Sequence, residues 1–409
     1  MRKSTYDRIY AAISDFEIID SHEHIPPEQE RLEWKLDFFT LFSGYTRVDL
    51  LSAGLPQKDF DRLQDAELPL EYRWRIFAPY FEHIRYGSYA RPAFIAAKEF
   101  YGFDKIDETT YVPLSEAMQA ANKPGIYQRI LRDKCKIRVS LTQVEKTKFD
   151  VDFLLPVLWI DRFCRVTTWE HVAKQAAELN EPLNSLDDYL RIMDKGVARW
   201  KSEGVVGLKM WSRTFQEPNR AEATAIFENL RTGVVKEVPV ESPLRDFLTD
   251  HILKLCAREA LPVAVHSGMW DDFRRSEPTQ MIPTFQRHPE TNFDLYHGGM
   301  PWMRQTGIIG KNFPNVWLDL CWSHVISPKM TRSALNEWVD LVPMNKIIGF
   351  GGDYGVQVEK VYGALTMARE NISAVLSSRV EEGLMSEEEA VGVAHKWLYD
   401  NPKAVYGLK

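Results

Sequence analysis

The sequence lacks the features that mark secreted, membrane-spanning and nucleic-acid-binding proteins. No uninterrupted apolar run approaches the ~20 residues of a membrane helix, and the first residues, MRKSTYDRIYAAIS, contain no apolar core of signal-peptide length. The four cysteines lie far apart and form no Cys-x-x-Cys pair, so we expect reduced, buried thiols. The 51 basic and 58 acidic residues give a net charge of −7. This balance argues against a nucleic-acid or membrane partner, and we expect a cytoplasmic protein that acts on a small molecule.

The chain contains enough apolar residues to form a large core. It also shows a regular alternation of strand-like and helix-like segments. Of its 409 residues, 44% are hydrophobic and 27% are charged, which is typical of a soluble globular protein. Short apolar runs alternate with stretches of helical periodicity. The eight runs that we interpret as strands are FEIIDSHEH (16–24), KIRVSLTQV (136–144), DFLLPVLWI (152–160), VVGLKMW (205–211), LPVAVHSG (261–268), NFDLYHGG (292–299), NVWLDLCW (315–322) and KIIGFGGDYG (346–355).

Continuous apolar strands separated by helices indicate a parallel sheet that is buried on both faces. Eight of them favour a (β/α)8 TIM barrel formed by a single domain over 1–409. One place fits badly, because only residues 145–151 separate strands two and three, which is too few for a crossover helix. Either that helix is missing or one strand is misplaced.

A long insertion separates strands one and two. Residues 28–122 exceed what the first barrel helix needs, and they are rich in Phe, Tyr and Trp. Because the segment follows directly after the carboxyl end of a strand, we expect a helical cap or lid over the barrel mouth. The alternative is a peripheral or oligomerisation subdomain.

Chemistry-bearing side chains recur where the predicted strands end. His22 and His24 are two residues apart on strand one and therefore point to the same side. Strand five ends in His266, strand six in His297 and strand eight in Asp353. The active sites of (β/α)8 barrels lie at the carboxyl ends of the strands. Four imidazoles and a carboxylate at these positions predict a metal centre.

This pattern resembles the amidohydrolase superfamily, which has His-x-His on strand one, His on strands five and six, and Asp on strand eight. The ending DNPKAVYGL (400–408) is similar to the closing segment of its amidohydrolase-related branch. The long insertion after His24 and the FGGDYG strand resemble uronate-isomerase-like members. The resemblance covers 16–24 and 136–409.

The resemblance implies a role for each of these residues. His22, His24 and His266 would ligate the metal, Asp353 would be a ligand or the general base, and His297 would ligate a second metal or polarise the substrate. This donor set suits Zn²⁺, with Mn²⁺, Fe²⁺ or Ni²⁺ as alternatives. A divalent ion lowers the pKa of its bound water to about 7, and a neighbouring carboxylate accepts the proton.

Lys209, at the end of strand four, has three readings: a carboxylated bridge between two metals, a cation for a substrate carboxylate, or a structural residue. We favour a single metal per chain. Other substrate-binding candidates lie on the loops after the strands, where arginine suits carboxylate capture and aromatic rings line a pocket. They are Trp211, Arg213, Trp270, Trp302, Arg304, Trp322, His324 and Tyr354.

These residues predict a metal-dependent hydrolase that cleaves an amide, lactam or lactone of a small, anionic substrate such as a carboxylate or sugar acid. The rivals are a uronate-isomerase-like aldose–ketose isomerase, a metal-dependent non-oxidative decarboxylase or hydratase, and a barrel that binds a ligand without catalysis. A serine hydrolase is disfavoured because the sequence has no Gly-x-Ser-x-Gly motif. Related barrels often associate, so a homo-oligomer is also an expectation.

Overall fold

Eight parallel strands form the centre of the molecule in a computed structural model that describes residues 4–270 and 272–409. Each strand pairs with the next one along the chain, as in a (β/α)8 barrel, so the predicted fold and all eight predicted strands are confirmed. The strands are β1 Ile18–Glu23, β2 Ile137–Thr142, β3 Leu154–Trp159, β4 Gly207–Trp211, β5 Val263–His266, β6 Phe293–Leu295, β7 Val316–Asp319 and β8 Ile347–Ile348.

The barrel is closed by backbone hydrogen bonds between β1 and the extended segment after β8. The amide of Ser21 donates to the carbonyl of Phe350 at 3.1 Å, and the amide of His24 donates to that of Tyr354 at 2.8 Å. Between them, the amide of Asp353 donates to the carbonyl of His22 at 2.8 Å. These bonds hold the end of the last strand beside the end of the first.

Helices surround the barrel, and several begin where the sequence predicts. The helices after β4 and β7 start at Pro243 and Pro328, with the hydroxyls of Ser242 and Ser327 capping their first turns. The barrel helices of eight residues or more are Trp169–Leu179, Leu186–Ser202, Arg220–Arg231, Pro243–Glu259, Met303–Asn312, Pro328–Leu341 and Glu359–Glu381. The shorter segments and the terminal helices are Thr5–Ser14, Gln128–Lys134, Asp161–Cys164, Phe273–Ser276, Pro278–Met281, Ile282–Arg287, Tyr296–Gly299, Ser323–Ile326, Met344–Lys346, Glu387–His395, Lys396–Asp400 and Asn401–Val405.

The short connection between β2 and β3 is a real feature of the fold. The two strands pair in parallel, with Ser140 opposite Leu154, and no helix lies between Thr142 and Leu154. Of the two explanations that the sequence left open, the missing helix is therefore correct. Both strands lie where they were predicted.

The insertion between β1 and β2 is helical and has a hydrophobic core of its own. Aromatic side chains such as Phe38, Phe42, Trp74 and Phe77 are buried in this core, which is separate from the core of the barrel. A buried ion pair at 2.6 Å between Arg31 and Glu359, on the helix after β8, ties the insertion to the barrel. Its helices are Glu28–Leu32, Phe38–Phe42, Thr46–Ser52, Gln57–Gln64, Leu70–Ile84, Arg91–Tyr101 and Tyr111–Ala121.

All four cysteines are buried free thiols. Within the two described ranges, no helix combines the length and the apolar character that a membrane crossing requires.

The loops after β5 and β6 pack so closely that one position requires glycine. Gly268 has a φ of +77°, and a Cβ there would lie 1.9 Å from the carbonyl oxygen of Met300. We expect Gly268→Ala to lower the free energy of unfolding in urea by at least about 3 kcal/mol, since strain and a backbone clash add. Gly204, with a φ of +97° and no described atom within 4 Å of its Cβ position, is the control. Gly204→Ala should cost roughly 1 kcal/mol. Equal losses would contradict the close approach of the two loops.

Candidate metal centre

Two imidazoles and one carboxylate converge at the barrel mouth. The Nε2 atoms of His22 and His24 each lie 3.3 Å from Oδ1 of Asp353. One ligand atom from each of these three residues lies within 4.8 Å of the other two. Bonds of about 2.0–2.1 Å at tetrahedral angles place neighbouring ligand atoms about 3.3 Å apart. The spacing therefore fits a divalent ion, and the three residues would hold it.

The local environment favours the neutral form of His22 and fixes the orientation of the His24 ring. Burial and the nearby Lys209 ammonium lower the pKa of His22 well below its ordinary value, so its ring is neutral at neutral pH. The Nδ1 atom of His24 lies 2.9 Å from the carbonyl oxygen of Gln143, to which it donates. This bond leaves Nε2 as the ring nitrogen that faces Asp353. The side chain of His24 is 37% exposed, whereas those of His22 and Asp353 are buried, so the centre is open to solvent at His24.

Strained backbone marks the loops at this end of the barrel. Met269, His297, Trp322 and Asp353 follow β5, β6, β7 and β8, and all four have φ between 55° and 74°. Such conformations are unfavourable for residues other than glycine and are concentrated at functional sites. Here they turn the chain sharply at the strand ends, which aims the side chains of His297 and Asp353 into the barrel mouth.

His266 and His297 form a second imidazole pair beside the first. Nδ1 of His297 lies 3.0 Å from the carbonyl oxygen of Cys321, and its Nε2 lies 3.1 Å from Nδ1 of His266. Because a carbonyl only accepts, Nδ1 of His297 carries the proton, and its Nε2 accepts from His266. The tautomer of His266 is then determined: its Nε2 is an unprotonated lone pair, buried and without a described hydrogen-bond partner. His266 lies outside the three-residue group, but this free lone pair is what a ligand needs. Both nitrogens of His297 are engaged, so neither is free for a substrate.

Lys209 lies directly beneath the candidate metal centre. Its Nζ is 3.4 Å from Nε2 of His22 and 3.7 Å from the centre of the Tyr296 ring. The side chain is 1% exposed, and burial lowers its pKa to about 8. This position is consistent with each of the three readings proposed for Lys209.

The insertion supplies a residue that the sequence did not single out. The hydroxyl of Tyr45 donates to Oδ1 of Asp353 at 2.7 Å. Its ring packs against Trp322 and Trp270, with centroids 4.1 and 5.2 Å away, so both tryptophans predicted to face the substrate lie beside the centre. The expected lid directed attention to the aromatic residues of 28–122, but nothing in the sequence distinguishes Tyr45 from the others.

The remaining predicted substrate residues divide into those near the centre and those engaged elsewhere. The Trp211 ring packs on His266 at 4.0 Å, and Tyr354 is buried with its amide bonded to Glu23 at 2.6 Å. Arg304 is 81% exposed and paired with Glu337, so it lies on an outer helix surface.

The others make structural contacts. Arg213 pairs with Glu241 and Asp246, and Trp302 packs against Phe273. Nε2 of His324 lies 2.9 Å from the carbonyl oxygen of Gly349, and its Nδ1 lies 3.0 Å from the Asn371 amide. Both nitrogens of His324 are therefore engaged with residues behind the barrel mouth.

Imidazoles and a carboxylate gathered at the carboxyl ends of barrel strands define the amidohydrolase class of enzymes. The model of the amidohydrolase family matches residues 192–408, which is more than half of the chain and includes His266, His297 and Asp353. The chain belongs to this family, as its resemblance indicated.

Known proteins extend the comparison to the rest of the chain. Uronate isomerase from Thermotoga maritima superposes with a TM-score of 0.82 at 18% identity, covering 98% of this chain and 97% of that protein. Glucuronate isomerase from Caulobacter crescentus superposes with a TM-score of 0.78 at 17% identity, covering 99% of this chain and 94% of that protein. At these identities the likeness establishes the fold, including the insertion.

A curated relative matches over a shorter region. Protein fluG from Emericella nidulans is 26% identical over 180 residues, which are 41% of this chain and 20% of that protein. The chain therefore matches about a fifth of the length of this relative.

The metal centre can be tested without a substrate. We expect His22→Ala and His24→Ala each to reduce bound divalent metal, measured by elemental analysis after purification, by at least about tenfold. His395→Ala is the control, because that histidine is partly exposed and paired with Asp400 away from the mouth. Metal content that is equal in all three variants would contradict the site.

Proposed function

We propose that the protein is a metal-dependent hydrolase that holds one divalent ion between His22, His24, His266 and Asp353. The imidazole and carboxylate ligands favour Zn²⁺ as this ion. The protein cleaves an amide, lactam or lactone of a small anionic molecule. Family membership supports the reaction class. The observation that carries the proposal is the arrangement around Asp353, whose contacts with His22, His24 and Tyr45 all fall on Oδ1.

This arrangement divides the work of the carboxylate between its two oxygens. Oδ1 faces the imidazoles, while Oδ2 is left to accept a proton from the attacking water and to return it to the leaving group. Burial raises the pKa of Asp353, but the adjacent imidazoles outweigh it and hold the pKa well below its ordinary value. The carboxylate is therefore ionised at neutral pH. A divalent ion bound here would supply the acidified water and polarise the scissile carbonyl.

Tyr45 holds the carboxylate in its reactive orientation. Burial and the neighbouring Asp353 raise the pKa of Tyr45 well above its ordinary value, so its hydroxyl stays protonated and donates throughout the neutral range. The packed rings of Tyr45, Trp270 and Trp322 exclude bulk water from one side of the centre, which strengthens the polar contacts within it. The insertion then acts as the cap that completes the site.

A uronate-isomerase-like activity is the second candidate. This candidate is supported by the structural similarity of uronate and glucuronate isomerases to nearly the whole chain, including the insertion. In that reaction Asp353 would move a proton between two carbons of the substrate, and no water would be consumed.

Oxygen labelling distinguishes the two reactions. We expect metal-loaded protein, screened against lactones, N-acyl amino acids and uronates in ¹⁸O-labelled water, to yield a product carrying the label in its new carboxylate. The measurement is mass spectrometry of the product. A ketose product of unchanged mass that forms from a uronate would instead establish the isomerase activity and contradict the proposed hydrolase activity.

Asp353 provides a test of the proton-transfer step. We expect Asp353→Asn to lower kcat on the substrate found above by about 10²-fold or more, because an amide cannot accept the proton. Asp272→Asn is a suitable control, since that exposed carboxylate is paired with Arg274 on the loop after β5. Full turnover by Asp353→Asn would show that another group carries the proton.

Tyr45 has a positioning role that can be separated from metal binding. We expect Tyr45→Phe to lower kcat by about tenfold, since it removes one charge-assisted hydrogen bond, and to leave the metal content unchanged. Tyr86→Phe, at a side chain that is 92% exposed, should change neither quantity. A Tyr45→Phe enzyme with normal kcat would remove Tyr45 from the mechanism.

A further inference from the structure

A cavity opens beside the metal centre at the same end of the barrel. It has a volume of about 550 Å³ and is lined by residues that follow β2 and β3, by the last residues of β3 and β4, and by one face of the helix Trp169–Leu179. We call it the Trp159–Trp211 pocket after the two residues at the strand ends. Apart from Trp211, a predicted substrate-binding residue, none of the residues that line it has a role assigned above.

Trp211 links the pocket to the reaction centre. Its ring packs on His266 with centroids 4.0 Å apart, and it lies nearly parallel to the Trp159 ring at 6.1 Å. Trp211 is 40% exposed, which is unusual for so large an apolar side chain beside a buried histidine. The two indoles give the pocket a flat apolar wall suited to a ring.

The acidic side chains of the pocket have ion-pair partners, whereas two of its basic side chains do not. Its three carboxylates all have cationic partners: Glu178 and Glu145 pair with Arg162 at 2.6 and 3.9 Å, and Asp161 pairs with Arg245 at 3.0 Å. By contrast, Arg165 and Lys174 line the pocket at its solvent-exposed edge, and neither has an ion-pair partner within the described ranges. The unpaired charge in the pocket is therefore positive, although the protein as a whole is acidic.

Gln175 adds a polar side chain to the lining of the pocket. Its side chain is only 5% exposed and lines the pocket between Lys174 and Glu178 on the same helix. No described residue makes a hydrogen bond with its amide. The amide nitrogen and oxygen are not fully enclosed by the protein, so they can bond a polar group that enters the pocket.

We propose that the Trp159–Trp211 pocket binds a ring that bears a carboxylate, as the distal part of the substrate. The ring lies against the indoles, the carboxylate lies between Arg165 and Lys174, and the Gln175 amide bonds a polar group of the ring. The assignment of this ligand as substrate rests on the proposed function, because the reacting bond must reach the metal centre past Trp211. Binding of the acid itself does not require the metal.

The test uses two matched pairs of probes on the full-length protein stripped of metal with a chelator. Benzoate and benzamide form the aromatic pair, and glucuronate and glucose form the sugar pair. Dissociation constants are measured by ligand-observed NMR. We expect one acid to bind at least about tenfold more tightly than its neutral partner, and the pair that responds identifies the kind of ring. If neither acid has a lower dissociation constant than its neutral partner, the proposal is wrong.

Variants locate the binding. Arg165→Gln combined with Lys174→Gln should weaken binding of the acid by about tenfold or more, and Gln175→Leu by about three- to tenfold. Lys329→Gln, at an exposed lysine on the helix Pro328–Leu341, should have no effect. Acid binding that is unchanged in the double variant would place the ligand elsewhere and overturn the proposal.

The same measurements separate this inference from the proposed function. If the His22→Ala variant loses metal but retains the acid, the pocket and the metal centre are independent sites that both stand. If the wild-type protein binds the acid but no divalent metal, the proposed function fails while the pocket stands.

Discussion

The hydrogen bond from the backbone amide of Asp353 to the carbonyl of His22 is the contact on which the rest of the site depends. It is one of the bonds that close the barrel between its last and first strands. It also brings a carboxylate from one end of the chain to within 3.3 Å of two imidazoles from the other end. Closure of the sheet and assembly of the candidate metal centre are therefore one structural event.

The same closure surrounds the centre with buried ionisable groups. Burial raises the pKa of Asp20 to about 6 and that of Asp294 to about 7, and it lowers the pKa of Lys209 to about 8. The hydroxyl of Tyr406, near the end of the chain, donates to Asp294 at 2.7 Å inside the barrel. Buried charges are unfavourable unless they are paired or neutralised. These residues form a polar interior below the ligands, and this interior is compatible with a bound cation.

Much of the fold was predictable because barrel strands and helices leave local signatures. Each strand is a short apolar run, and serine–proline pairs mark the starts of two helices. The metal-ligand candidates were also predictable, since His22, His24 and Asp353 lie at strand ends that a barrel must bring together. The link between β2 and β3 was ambiguous, because a sequence shows the length of a connection and not which strands pair across it.

The sequence by itself determined the barrel, the family and the residues that converge at its mouth, because period, spacing and strand order are local properties. Only the tertiary structure decided how the side chains pair. It placed Tyr45 of the insertion on Asp353, and it occupied both nitrogens of His297 so that His266 keeps a free lone pair. It also bound Arg304 and Arg213 to carboxylates on neighbouring helices. Contacts of this kind join residues distant in sequence, and their geometry exists only once the backbone has folded.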